Sequence, residues 1–356
     1  MRVAMVTMNA EHNYGAALQA YALQEVIRGL GHDPAFVDQR LLVHSIAPSS
    51  SRPRDAFLRL QQLIHHADLK QGRCAFDSFV NDYQRLTSER YASYSALAAA
   101  PPDADVYLTG SDQVWNTLNY QPINFLEFAP EGERRISYAA SLGVDFIAED
   151  HEIRVQQALS QFDAISVREK SAVRLLAPLV SQPVHVHVDP VLLLSMDEWR
   201  MISKPVDVLN EPYILVYVLY RPEWLNAWLK RLHRETGMSI VLVDVHAWRN
   251  IYRNRMIRSA GPREFLWLFD NASTVVTSSF HGTAFSVVFE KDFYALPNPS
   301  APSRIRSLLS LVGLERREVN EITSCNLPER IDYAGVRAAV ARERERALGY
   351  LRDNLA

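Results

Sequence analysis

Residues 274–289 (TVVTSSFHGTAFSVVF) set His281-Gly282 between a β-branched run and an apolar one. The pattern predicts a strand, a polar turn and a helix, with the histidine at the helix start. A helix start attracts anions, because its first backbone N–H groups lack intrahelical partners and the macrodipole favours negative charge there. Gly282 would admit a ligand close to the backbone. A histidine beside such a site can transfer protons near neutral pH. The plainer reading is that His281 caps the turn and Gly282 only permits it.

Other polar groups fall at the ends of expected strands: Asn13-Tyr14-Gly15, Gly110-Ser111-Asp112-Gln113, Arg168-Glu169-Lys170 and Ser278-Ser279-Phe280-His281. Open α/β sheets bind ligands outside the carboxyl ends of their strands, so the four together predict a cleft site. Arg168 can hold a carboxylate or phosphate in its planar fork, or pair with Glu169 or another neighbour. Asp112 can serve as a base toward a hydroxyl, or form an Asx-turn or N-cap. Asn13 and Gly15 can approach a ligand through amide and backbone, or simply make a turn and a helix start.

His185, His187 and Asp189 alternate along a strand, so they can share a face and bind a metal, or line a half-exposed strand. Arg249, Arg253, Arg255 and Arg258 read as a loop over an anionic ligand, a patch on anionic lipid, or a solvated loop. Trp224 and Trp228 read as core.

The elements that must position these groups follow from periodicity. Strand patterns at 2–8 and 35–38 flank a helix from 16 to 29, with Gly31 as its stop, which is a βαβ opening. It lacks GxGxxG. A linker at 47–54 and helices at 55–65 and 75–86 come next. Strands are expected at 105–109, 135–139, 164–167 and 184–188. A polar, proline-bearing stretch at 200–211 marks a domain boundary. A second α/β run begins at Tyr213, with a helix at 223–235, a strand at 239–243 and a helix at 263–269. A charged helix at 333–355 ends the chain. The fold class is therefore α/β, with domains at 1–200 and 211–330 and a C-terminal helix at 331–356.

The 356 residues suit two domains. A net charge of −3 argues against general nucleic-acid binding. The two cysteines, Cys74 and Cys325, supply neither a zinc cluster nor a disulfide framework, which fits a reducing cytoplasm. The N-terminal residues carry no secretory pattern, and no apolar run is long enough to span a bilayer.

Six segments, in order, resemble the polysaccharide pyruvyl transferase family: NYGAALQAYALQEVIRGLGH (13–32), GSDQVWN (110–116), SYAASLG (137–143), SVREKSAVRLL (166–176), VDPVLLL (188–194) and TSSFHGTAFSVVFEKDF (277–293). The resemblance spans residues 1–315. It implies two Rossmann-like domains in a GT-B-like arrangement with the active site in the interdomain cleft, the acceptor on the N-terminal side and the donor on the C-terminal side. The activity it implies is transfer of the pyruvyl group of phosphoenolpyruvate to a sugar as a cyclic ketal, with loss of phosphate. His281 matches the family histidine and would protonate the enol ether. Asp112 would be the base. Arg168 matches the arginine of the VRE segment and would hold the donor, helped by N–H groups of Gly282 and Thr283.

Some members carry an arginine where this chain has Ser279. Here that donor contact is either missing or supplied by Arg304, Arg306 or the 249–258 stretch. No cofactor or metal is implied beyond the donor substrate. The partners implied are phosphoenolpyruvate and a saccharide acceptor on a lipid-linked or nucleotide-linked precursor, in the cytoplasm, with peripheral contact at the inner membrane face. The acceptor pocket would use the N-terminal domain and residues 45–86. Alternatives are a glycosyltransferase using a nucleotide sugar and a non-catalytic sugar- or anion-binding protein.

Overall fold

The structure, a computed structural model, describes residues 1–8, 12–39, 66–207, 211–243, 251–299, 302–320 and 330–356. The expected linker at 47–54, the helix at 55–65 and Arg249 lie outside the described residues. Two compact units divide the chain, one drawn from 1–48, 80–194 and 340–356, the other from 49–79 and 195–339.

In the first unit, β1 (Arg2–Val6), β2 (Asp33–Asp38), β3 (Leu86–Arg90), β4 (Val106–Thr109) and β5 (Arg134–Ser137) form a parallel sheet ordered β3-β2-β1-β4-β5. Both β1 beyond Arg2 and all of β4 are buried, as expected of strands covered on both faces. The crossover helix α1 (Tyr14–Gly29) starts where the Asn13 side chain accepts from the N–H groups of Gly15 and Ala16. It ends before Gly31, whose φ of 88° is the left-handed stop. Helices α2 (His66–Tyr83) and α3 (Tyr94–Ala99) precede and follow β3, and α4 (Glu152–Leu159) follows β5. Strands β6 (Ile165–Val167) and β7 (Val184–Val186) pair in parallel, with α5 (Lys170–Leu176) between them. Trp115 anchors the core, stacked on Phe125 at 5.8 Å and edge-on to Phe162 at 5.6 Å.

The second unit repeats the plan. Its strands are β8 (Tyr213–Tyr217), β9 (Ser239–Val243), β10 (Arg255–Ile257), β11 (Thr274–Thr277) and β12 (Asp292–Ala295), ordered β10-β9-β8-β11-β12. Five helices belong with them: α6 (Met196–Ile202), α7 (Leu225–Thr236), α8 (Pro262–Asn271), α9 (Phe280–Val288) and α10 (Ser303–Val312). Trp228 is buried in this core and Trp224 packs against it. Helix α11 (Tyr333–Leu355) donates from Tyr333 Oη to Lys291 O at 2.6 Å in the second unit. Near its other end, Tyr350 Oη donates to Ser137 O at 2.9 Å in the first.

Both sheets thus have the Rossmann-like order 3-2-1-4-5, which reverses direction between β1 and β4 and between β8 and β11. The fold is α/β with two parallel Rossmann-like sheets, as the sequence predicts. Two local expectations need correction. The arginine-bearing stretch is not simply a loop, since 255–257 pair with β9 as an edge strand. The helix expected at 75–86 begins at His66 and releases 86–90 to β3.

Candidate active site

At the switch point of the first unit, β4 ends in Gly110 (φ 116°), a cis Gly110–Ser111 peptide and Asp112 (φ 66°). A Cβ on Gly110 would stand 2.1 Å from Tyr138 O, so only glycine fits. The hydroxyl of Ser111 points inward, donating to Ala139 O at 2.8 Å, with Asp189 Oδ2 at 3.2 Å. Its carbonyl accepts from Thr7 Oγ1 at 3.0 Å, which ties the turn to the end of β1. Ser111 is fully buried, so its side chain supports the turn rather than facing a ligand.

Asp112 stands 3.5 Å from Arg168, which leaves the end of β6. Arg168 also meets Asp189 at 2.6 Å and Glu169 at 3.9 Å. Three carboxylates therefore surround one buried guanidinium. Of these side chains Asp112 keeps the most exposure, 9%, against 0% for Asp189 and 2% for Glu169. Burial works against the Arg168 charge, but Asp189, then Asp112 and Glu169, hold its pKa above the ordinary guanidinium value. Glu169 accepts from Ser141 Oγ at 2.7 Å and from Leu142 N–H at 3.0 Å. The expected surface pair is thus a buried network, built mainly on a residue 21 positions away. Asp112 has a left-handed backbone, φ 66°, and its carboxylate faces Arg168. Asn13 and Gly15 are occupied in capping α1, the simpler of the two readings of that segment.

At the switch point of the second unit, hydroxyls bind the strand ends together. Thr277 Oγ1 donates to Tyr217 O at 2.7 Å and accepts from Ser279 N–H at 3.1 Å. Ser278 Oγ accepts from Leu219 and Tyr220 N–H, each at 2.8 Å. Ser279 is the N-cap of α9, its Oγ accepting from Gly282 N–H at 3.3 Å and its carbonyl from Thr283 N–H at 3.0 Å. This corrects the expectation that Gly282 and Thr283 offer free N–H donors, because the cap consumes both. Gly282 serves packing: a Cβ there would lie 2.1 Å from Thr277 Oγ1 and 3.1 Å from the Tyr217 ring. Thr283 Oγ1 donates back to Ser279 O at 3.0 Å. His281 follows in the first turn, 7% exposed, its ring edge-on to Phe280 at 5.3 Å.

A family model described as polysaccharide pyruvyl transferase matches residues 13–300. The chain belongs to that family. It is therefore a transferase. No curated protein matches the chain. Among solved structures it is similar to the UDP-GlcNAc 2-epimerase of Methanocaldococcus jannaschii in complex with UDP-GlcNAc and UDP. The TM-score is 0.50 at 10% identity, over 98% of this chain and 93% of that one. It is also similar to the glycosyltransferase SnogD from Streptomyces nogalater, with TM-score 0.46 and 14% identity over 99% and 95% of the two chains. The epimerase likeness is one of fold.

Other predicted groups of the transferase have settled partners. His187 Nδ1 is 2.8 Å from Ser166 Oγ, and its ring lies 4.6 Å from that of Tyr350. Burial, helped by His185 and Arg346, lowers its pKa to about 4. Asp189 is committed to Arg168 and to capping Val191 N–H at 3.0 Å, so the HxHxD alternation does not converge on a metal. Among the described residues no group of His, Cys, Asp and Glu could hold a metal ion. Arg306 pairs with Glu318 at 2.7 Å, and Arg255 donates to Asp207 O at 2.5 Å. Sequence reasoning missed Asp189 as the anchor of Arg168. The one available signal was Asp-Pro at 189–190, which reads as an N-cap followed by a proline at the first helical position.

Proposed function

We propose that this transferase moves the pyruvyl group of phosphoenolpyruvate to a saccharide as a cyclic ketal. The observation that carries the reading is the family match over 13–300, a span containing both switch-point clusters. In the proposed reaction the methylene carbon of the donor takes a proton and the adjacent carbon becomes electrophilic. Two sugar hydroxyls bond to that carbon and the C–O bond to phosphate breaks. One hydroxyl proton balances the new methyl group and the other leaves with phosphate.

His281 supplies the acid and Asp112 the base, each in hydrogen-bond reach of its proton only in the substrate complex. Arg168, held in place by its carboxylate partners, is proposed to offer guanidinium N–H donors to the anionic donor. Ser279, where some members carry arginine, caps α9. The acceptor is proposed to be a lipid-linked or nucleotide-linked saccharide precursor in the cytoplasm, met at or near the inner membrane face. Among the described residues no helix is long and apolar enough to cross a membrane.

The test incubates the protein with phosphoenolpyruvate and a panel of glycosides with free hydroxyl pairs. Phosphate release matched by pyruvylated glycoside in the mass spectrum is the expected result. Consumption of a nucleotide sugar under the same conditions, with phosphoenolpyruvate untouched, would refute it.

A further inference from the structure

Asp189 is the most enclosed member of the first cluster, with a side chain 0% exposed. Its Oδ2 meets Arg168 at 2.6 Å and Ser111 Oγ at 3.2 Å, while Oδ1 accepts from Val191 N–H at 3.0 Å. One carboxylate thus fixes three chain segments: the turn after β4 that carries Asp112, the end of β6 that carries Arg168, and the short helix Pro190–Leu192. Asp112 in turn pairs with Arg168, 3.5 Å away. The order Asp189–Arg168–Asp112 therefore runs from the most buried carboxylate to the most exposed one through a single guanidinium.

We propose that Asp189 is the positioning residue of this cluster: it orients Arg168, and through Arg168 the carboxylate of Asp112, for the transfer. The proposal rests on the reaction proposed above. A guanidinium carries its donors in a fixed plane, so the carboxylate that grips one edge sets the direction of the other. Asp189→Asn keeps an oxygen for the Val191 N–H but sets an amide NH2 where Oδ2 accepted from Arg168 and Ser111, so donor faces donor and the grip is lost. Arg168 then faces Asp112 and Glu169 without its nearest partner. Group misplacement of this kind costs about ten- to a hundred-fold in rate.

The test is a double-mutant cycle of Asp189→Asn and Arg168→Lys, read as kcat/KM for phosphoenolpyruvate and corrected for folded fraction. If Asp189 acts through Arg168, the pair loses no more than the worse single variant. Losses that multiply, or a folded Asp189→Asn with unchanged kcat/KM, would overturn the proposal. Should Asp189→Asn fail to fold, Asp189→Glu, which keeps the charge and shifts it by a methylene, enters the same cycle.

A second readout does not depend on turnover: labelling of the Asp112 carboxyl by a water-soluble carbodiimide and an amine, quantified by mass spectrometry. Release of Arg168 should raise labelling several-fold in Asp189→Asn, whereas loss of a helix cap alone would leave it unchanged. If the wild type releases no phosphate from phosphoenolpyruvate, the proposed reaction falls. The labelling result then decides the positioning role by itself: unchanged labelling refutes it, and raised labelling retains it.

Discussion

At the residue scale, His281 and Asp112 carry the proposed proton transfers, and both are buried, at 7% exposed. His281→Ala and Asp112→Asn should each lower turnover by about 10²- to 10⁴-fold, the range of a lost general acid or base. His281→Ala should keep phosphoenolpyruvate binding. Steady-state phosphate release beside ligand-induced melting shifts measures both, and a His281→Ala enzyme with wild-type turnover would remove the histidine from the mechanism. Their placement at strand ends was legible in the sequence, because each lies just beyond an apolar strand. The partner of Arg168 was not, since nothing in local spacing links it to Asp189, and the immediate neighbour Glu169 is the more distant carboxylate. The inward direction of the Ser111 hydroxyl was not legible either, because a hydroxyl in a polar turn gives no sign of which way it points.

At the element scale, the strand–turn–helix unit β11–α9 depends on close approach. Gly282→Ala would push a methyl into Thr277 Oγ1, whose hydrogen bonds join the ends of β8 and β11. An overpacking cost of about 1–3 kcal/mol is expected, read in urea unfolding as a lower midpoint with an unchanged slope. A neutral result would mean that α9 shifts freely on its strand.

The packing of α11 beside β7 gives a pH prediction. His187, enclosed by Tyr138, Tyr350 and Ser166, has its pKa lowered from 6.5 to about 4, first by burial and then by His185 and Arg346. The unfolded chain therefore binds the proton more readily. The contribution of the neutral ring is complete above about pH 6.5 and is lost as pH falls toward about 4. Thermal melts of wild type and His187→Gln across that window should converge on acidification, and parallel curves would contradict the assignment. The central strands and α1 were legible from apolar runs and from the Asn13 cap with the Gly31 stop. The edge strands β3 (LTSER) and β10 (RMI) were not, because a short polar edge has no hydrophobic alternation to read.

At the scale of the whole molecule, the two sheets share one strand order, and each places a hydroxyl- or charge-rich cluster at its switch point. Alternating strand and helix patterns made that architecture readable from either half of the chain. The division of the chain was less readable, because 66–79 group with the second unit while sitting between β2 and β3 in sequence. That grouping depends on long-range packing, such as the close fit of Gly261 against Ala75, for which local periodicity has no signature.

The central claim is that phosphoenolpyruvate is the donor, and the direct measurement is the melting temperature of the full chain with phosphoenolpyruvate or with a panel of nucleotide sugars. A ligand that binds only the folded state at a hundred times its Kd adds about 2.7 kcal/mol of stability. Stabilisation by phosphoenolpyruvate that weakens in Arg168→Lys is the predicted result. Stabilisation by a nucleotide sugar alone would contradict pyruvyl transfer and point to glycosyl chemistry on the same fold.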